Sequence, residues 1–101
     1  MADQNIAGDL TVHAESAAGF LKAMSHQGRL LILSHLASGE KSVTELEGLL
    51  GQRQAAVSQQ LARLRLEGMV STRREGKAIY YALKDTRVMD FLRSLVGLFA
   101  R

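Results

Sequence analysis

At Gly68 the spacing of apolar residues changes from a period near 3.6 to a period of 2, and few small folds accommodate that change in mid-chain. Before it, Gln54 to Glu67 sets Val57, Leu61, Leu64 and Leu66 along the apolar side of a helix that Gly68 ends. After it, Val70, Thr72 and Arg74 share one face of an extended segment. Ile79, Tyr81 and Leu83 alternate in the next, with Glu75-Gly76-Lys77 as the turn between them. The spacing predicts a helix that runs directly into a β-hairpin.

Upstream, Ser42-Val-Thr-Glu45 reads as a capping box, in which a hydroxyl and a carboxylate three residues apart satisfy each other's orphan amides. A short helix follows to about Leu50, and Gly51 breaks it, so two helices meet across a tight turn as in a helix-turn-helix. Two further helices precede these. His13 to Ser25 aligns Ala14, Ala17, Ala18, Leu21 and Met24 on one stripe. Gln27 to Ala37 turns Leu30, Leu31, Leu33 and Leu36 inward and stops at Ser38-Gly39. Thr86 to Ala100 returns to helical spacing with Val88, Phe91, Leu92, Leu95, Val96, Leu98 and Phe99. These cover too much of the circumference for one core contact, so the excess is expected to pack on another subunit.

The order is four helices, a two-stranded hairpin and a fifth helix. The predicted fold is therefore mainly α with a β-hairpin wing, a homodimeric winged helix-turn-helix. Residues 1–12 read as a flexible N-terminal arm and 13–101 as a single domain, since 101 residues support one core. The chain has no cysteine, which excludes disulfides, thiolate metal sites and a cysteine nucleophile and makes dimerisation the simplest source of further stability. No apolar run approaches the roughly 18 residues of a membrane span, and the N-terminus lacks the features of a signal peptide, so a cytoplasmic protein without a membrane partner is expected.

Charge is concentrated in the same segment that changes period. Arg53, Arg63, Arg65, Arg73, Arg74 and Lys77 face only Glu67 and Glu75, so residues 53–77 carry +4 of a protein whose net charge is +3. A basic hairpin after a helix-turn-helix is the winged-helix plan, with the second helix in the major groove of DNA and the wing on the backbone. Two other classes fit the sequence less well. An interaction module without DNA binding would have no use for the cations of the wing. An enzyme would need an activated nucleophile or paired carboxylates, whereas Ser58 is remote in sequence from any histidine and the carboxylates are scattered.

Several motifs then stand in register with a known family. Leu21-Lys-Ala-Met-Ser-His26, Gly28-Arg-Leu-Leu-Ile-Leu33, Val57-Ser-Gln-Gln-Leu61, Leu64-Arg65, Glu67-Gly-Met-Val70 and Gly76 through Tyr80-Tyr81-Ala-Leu83 resemble the ArsR/SmtB family of winged-helix repressors over about residues 15–100. The resemblance implies a homodimer that binds double-stranded operator DNA and releases it on a signal. It makes Gln54 to Glu67 the recognition helix, with Gln54, Ala55, Ser58, Gln59 and Gln60 toward the bases. Arg53 and Arg63 would then flank the groove, and Arg73, Arg74 and Lys77 of the wing would meet phosphates. Gln60 stands where the family often has His. Leu21, Phe91, Leu92, Leu95, Leu98 and Phe99 are expected at the dimer interface.

The sensing positions depart from the family. Its metal sensors use cysteines on the third helix or an Asp/His set on the last helix. Here the third helix has no thiolate, and Asp85 is accompanied by Arg87, Leu98 and Arg101 in the remaining slots, so no metal site and no cofactor is expected. His13, His26 and His35 have no i, i+4 pair and read as ordinary histidines. The stretches Ile32-Leu-Ser-His-Leu36, Gly39-Glu-Lys-Ser-Val43 and Leu98-Phe-Ala100 look most like the branch that senses persulfides or oxidants through two cysteines, but Ser34 and Ala100 occupy the cysteine slots. Either sensing is absent or an unidentified small-molecule effector of non-thiol chemistry carries it.

Overall fold

The computed structural model describes residues 5–100. A short helix, α1 (Ile6–Thr11), leads into α2 (Ala14–Met24) and α3 (Gln27–Leu36). The two-residue strand β1 (Lys41–Ser42) then precedes α4 (Val43–Leu50) and α5 (Gln54–Leu66). The hairpin β2 (Val70–Glu75) and β3 (Ala78–Leu83) follows, and α6 (Thr86–Phe99) closes the chain. The winged helix-turn-helix expected from the period change is present.

Local chemistry sets most of the boundaries. Ser42 caps α4 by accepting the Glu45 amide at 3.1 Å while Glu45 accepts the Ser42 amide at 2.8 Å, the predicted capping box. Gly51 ends α4 at φ 64°, a conformation that costs glycine nothing, and only three residues separate α4 from α5. His26, which the sequence left as an ordinary histidine, caps α3 by accepting the Gly28 amide on Nδ1 at 3.1 Å. Asp85 caps α6 by accepting the Arg87 amide at 3.0 Å.

Leu46, Val57, Leu61, Leu64, Ile32, Leu33, Leu36, Val70 and Val88 form a wholly apolar core around which the helices and the wing root assemble. The strands run antiparallel in the order β1-β3-β2, with Val70 opposite Leu83 and Glu75 opposite Ala78, so the hairpin turns over two residues, Gly76 and Lys77. β1 was not foreseen. Two residues are too few for a period, and Lys41 and Ser42 join the sheet only because β3 offers its free edge to them.

The described part of the N-terminal arm, 5–12, contains α1, none of whose residues is buried; residues 1–4 of the arm and Arg101 lie outside the described residues. Two expectations need correction. In α3 the inward residue is Ile32, not Leu31, which is exposed. Leu66, placed on the apolar side of the recognition helix, is 84% exposed, because at two residues beyond Leu64 it is rotated about 200° from it, onto the face opposite the buried stripe.

Candidate nucleic-acid interface

Burial of Val57, Leu61 and Leu64 fixes the rotation of α5, and the opposite face is therefore outside by helical geometry. Ala55, Ser58 and Gln59 lie on that exposed face, Gln54 and Arg53 at its N-terminal end, and Arg63 one turn beyond Gln59. Gln60 does not share it. Its side chain is half-buried and folds against α3, so close to Gly28 that a Cβ there would lie 2.3 Å from the Gln60 Nε2. Glycine at position 28 is what allows this approach.

The wing divides its cations into two kinds. Arg73 is engaged within the molecule: its Nε lies 2.9 and 3.0 Å from the two Glu40 carboxylate oxygens, and its guanidinium stacks 4.7 Å above the Tyr80 ring. Glu75 approaches it at 3.6 Å as well. Arg73 holds the Glu40 carboxyl below its ordinary range, and Glu40 in turn raises the guanidinium. Arg74 and Lys77 are exposed, and neither forms an ion pair among the described residues. They are the free charges near the tip. Sequence reasoning missed the Glu40 clamp because its partners are 33 residues apart and nothing local marks them.

Away from this surface, an apolar cleft of about 800 Å³ opens between α3 and α6. Leu30, Ser34 and Ala37 form one wall, and Met89, Val96, Phe99 and Ala100 lie on the other. Ser34 and Ala100 thus border one cleft, and the Ser34 hydroxyl donates to the Leu30 carbonyl at 2.8 Å. Beside the cleft, α6 projects past the core with Val96, Leu98 and Phe99 at 64%, 58% and 83% exposure. Of the residues expected at a subunit contact, Leu21 is also exposed, Leu95 is half-buried, and Phe91 is half-buried edge-on to Phe20, with ring centroids 5.5 Å apart. Leu92 differs: at 8% exposure it packs in the protomer's own core.

Asp85, the one residue matching a metal-ligand slot, is occupied otherwise. Arg87 donates from its amide and from Nε to Asp85 Oδ1, each at 3.0 Å, and from Nη2 to Oδ2 at 2.6 Å, which depresses the carboxyl. Its oxygens serve a helix cap and a guanidinium. No group of three potential metal ligands gathers among the described residues.

The profile of the bacterial regulatory protein arsR family matches residues 26–72, from the cap of α3 into β2. The nodulation protein NolR of Rhizobium meliloti is 43% identical over 86 residues, which span 85% of this chain and 70% of NolR. The chain belongs to the ArsR family. Its fold agrees with the crystal structure of the transcriptional repressor BigR from Xylella fastidiosa at a TM-score of 0.88 and 39% identity, covering 91% of this chain and 94% of BigR. A solution structure of a homodimeric winged helix-turn-helix DNA-binding domain from Mycobacterium bovis, a possible ArsR-family regulator, aligns at a TM-score of 0.73 and 29% identity over 99% of this chain and 87% of that one. ArsR-family membership makes the chain a DNA-binding transcriptional regulator, and the relatives it matches are regulators rather than enzymes. Among the described residues no helix is long and apolar enough to cross a membrane.

Proposed function

We propose that the chain is a homodimeric repressor that reads operator DNA with the exposed face of α5 and steadies it with the tip of the wing. The observation that carries this reading is the two-sidedness of α5: Val57, Leu61 and Leu64 anchor it while Ala55, Ser58, Gln59 and Arg63 face outward, and the wing adds Arg74 and Lys77, which form no ion pair among the described residues. Gln can bond adenine bidentately, Ser can bond several base edges, and Arg and Lys meet phosphates. The exposed apolar residues of α6 support a second copy as partner.

A repressor of this kind releases counterions when it binds, so its affinity depends steeply on salt. With roughly six to ten phosphate contacts, affinity for a duplex selected from random DNA falls about 10³ to 10⁵-fold between about 50 and 200 mM salt. Fluorescence anisotropy measures it, and a flat response overturns the reading.

Its signal does not involve protein thiols. A chain without cysteine has no sulfur to cross-link or persulfidate, so DNA binding is unmoved by diamide and polysulfide. Ser34 and Ala100 flank the α3–α6 cleft where the resembling branch has its two cysteines, which supports a non-thiol effector acting at the same place. Ser34→Cys combined with Ala100→Cys is expected to form a disulfide on oxidation and to lose DNA affinity reversibly, as neither single variant does. Failure to cross-link, seen as free thiols by mass after oxidation, removes the likeness to the persulfide-sensing branch at these two positions.

A further inference from the structure

A second, smaller cleft, of about 310 Å³, lies between the start of α3 and the middle of α5, with His26 and Arg29 on one side and Ala56, Gln59, Gln60 and Arg63 on the other. Its chemistry is unbalanced. Arg29 is half-buried, its Nη2 reaches only the Lys22 carbonyl at 3.4 Å, and its Nε is buried with no hydrogen-bond partner. Among the described residues no carboxylate forms an ion pair with it. A guanidinium stays protonated at any accessible pH, so burial cannot neutralise it, and a partly desolvated cation without a counter-charge is costly.

Every titratable group on the lining is basic or neutral. Among the described residues Arg63 has only the exposed Glu67, at 3.8 Å, as a carboxylate partner. His26 uses Nδ1 to accept the Gly28 amide, so in the neutral ring Nε2 carries the hydrogen and can donate. Gln60 Oε1 is also buried without a partner, but it is a neutral acceptor that one water satisfies. What the cleft lacks is an anion.

We propose that this cleft takes a backbone phosphate of the bound duplex and that Arg29 is its principal ligand, with Arg63 and His26 beside it. The inference rests on the DNA-binding reading and adds a contact on α3, outside the helix-turn-helix and the wing. Gln59 supplies the link, because it belongs both to the outward face of α5 and to the lining of the cleft. When that face meets base edges, the flanking sugar-phosphate strand passes along the side of the helix where the cleft opens. Arg offers a planar fork of donors matched to phosphate oxygens.

The test compares wild type with Arg29→Gln on the selected duplex and on random duplex across a salt series. Each phosphate contact contributes about 0.9 to the slope of log affinity against log salt, so losing one per subunit makes the slope shallower by about 1.8, equally for both duplexes. Arg29→Lys keeps most of the slope. A lower melting temperature with an unchanged slope marks Arg29 as a packing residue and overturns the proposal, as does no change in either. If Arg29→Gln does not fold, the Arg29 Nε–H resonance of the wild-type protein, identified by its loss in Arg29→Lys, decides the matter. It is expected to shift and to exchange more slowly on adding duplex, and a resonance that stays put overturns the proposal. Failure of the wild-type protein to bind any duplex overturns the DNA reading and this contact together, whereas normal wild-type binding with an insensitive Arg29 removes only the contact.

Discussion

The outward face of α5 and the outward end of α6 are equally exposed, and they are opposite in chemistry. The first carries Ser58, Gln59 and Arg63, with Leu66 at the end of the helix as its one large exposed apolar side chain; the second carries Val96, Leu98 and Phe99. Exposed polar groups cost a folded monomer nothing, so the α5 face alone is ambiguous between a solvated surface and a reading head. A cluster of large exposed apolar groups, by contrast, exceeds what a solitary small protein usually presents. The contrast supports the proposed division of work, in which α6 joins the copies and α5 reads the DNA.

Charging the apolar end is the most severe way to break that division. Leu98→Glu leaves the core untouched but buries a carboxylate in any interface formed by α6. The variant is expected to fold, to run as a monomer in light scattering, and to lose about 10² to 10⁴ in operator affinity once two half-sites are no longer held together. A dimer that still binds normally would mean that α6 is not the subunit contact. On the nucleic-acid side, Lys77→Ala removes an unpaired wing charge and is expected to weaken preferred and random duplexes alike, with a salt slope shallower by about 0.9 per contact.

The smallest expected effect concerns the engaged cation of the wing. Arg73 depresses the Glu40 pKa in the folded state, so this pair stabilises the fold fully above the unfolded carboxyl value, about 4.3, and ceases to do so as pH falls through the lower folded value. Glu40→Gln should therefore melt slightly below wild type at pH 7, and the gap should shrink as pH falls below the unfolded carboxyl value and close once it passes the lowered folded value. A gap that persists in acid would mean that the glutamate acts through packing rather than charge.

Much of this arrangement is written in local patterns. The capping box of Ser42 and Glu45, the stop at Gly51 and the change of period at Gly68 each involve neighbours within one turn, and all three reappear in the structure. The exposed recognition face was legible for the same reason, since the positions of Val57, Leu61 and Leu64 dictate what lies opposite. What escaped depends on distance along the chain. Gln60, three residues after Val57 and four before Leu64, lies on the anchored side of the helix by the same rule, but the room its side chain takes there exists only because Gly28, 32 positions earlier, has no Cβ. The Glu40 clamp on Arg73, the strand formed by Lys41 and Ser42, and the unpaired Arg29 are likewise tertiary facts with no periodic signature. Ile32 and Leu31 exchanged roles because a run of four aliphatic residues, Leu30 to Leu33, fits either rotation of α3.

The central claim, that α5 reads bases while the charges around it supply affinity, is tested most directly by the ratio of affinities for a selected operator and a random duplex at fixed salt. Gln59→Ala removes an exposed side chain from the outward face of α5, so folding and dimerisation should be unchanged. It is expected to cost about 1 to 3 kcal/mol on the operator and little on random DNA, narrowing the ratio about 5 to 150-fold. A variant that keeps the wild-type ratio, or loses affinity equally for both duplexes, would contradict the assignment of α5 as the reading helix.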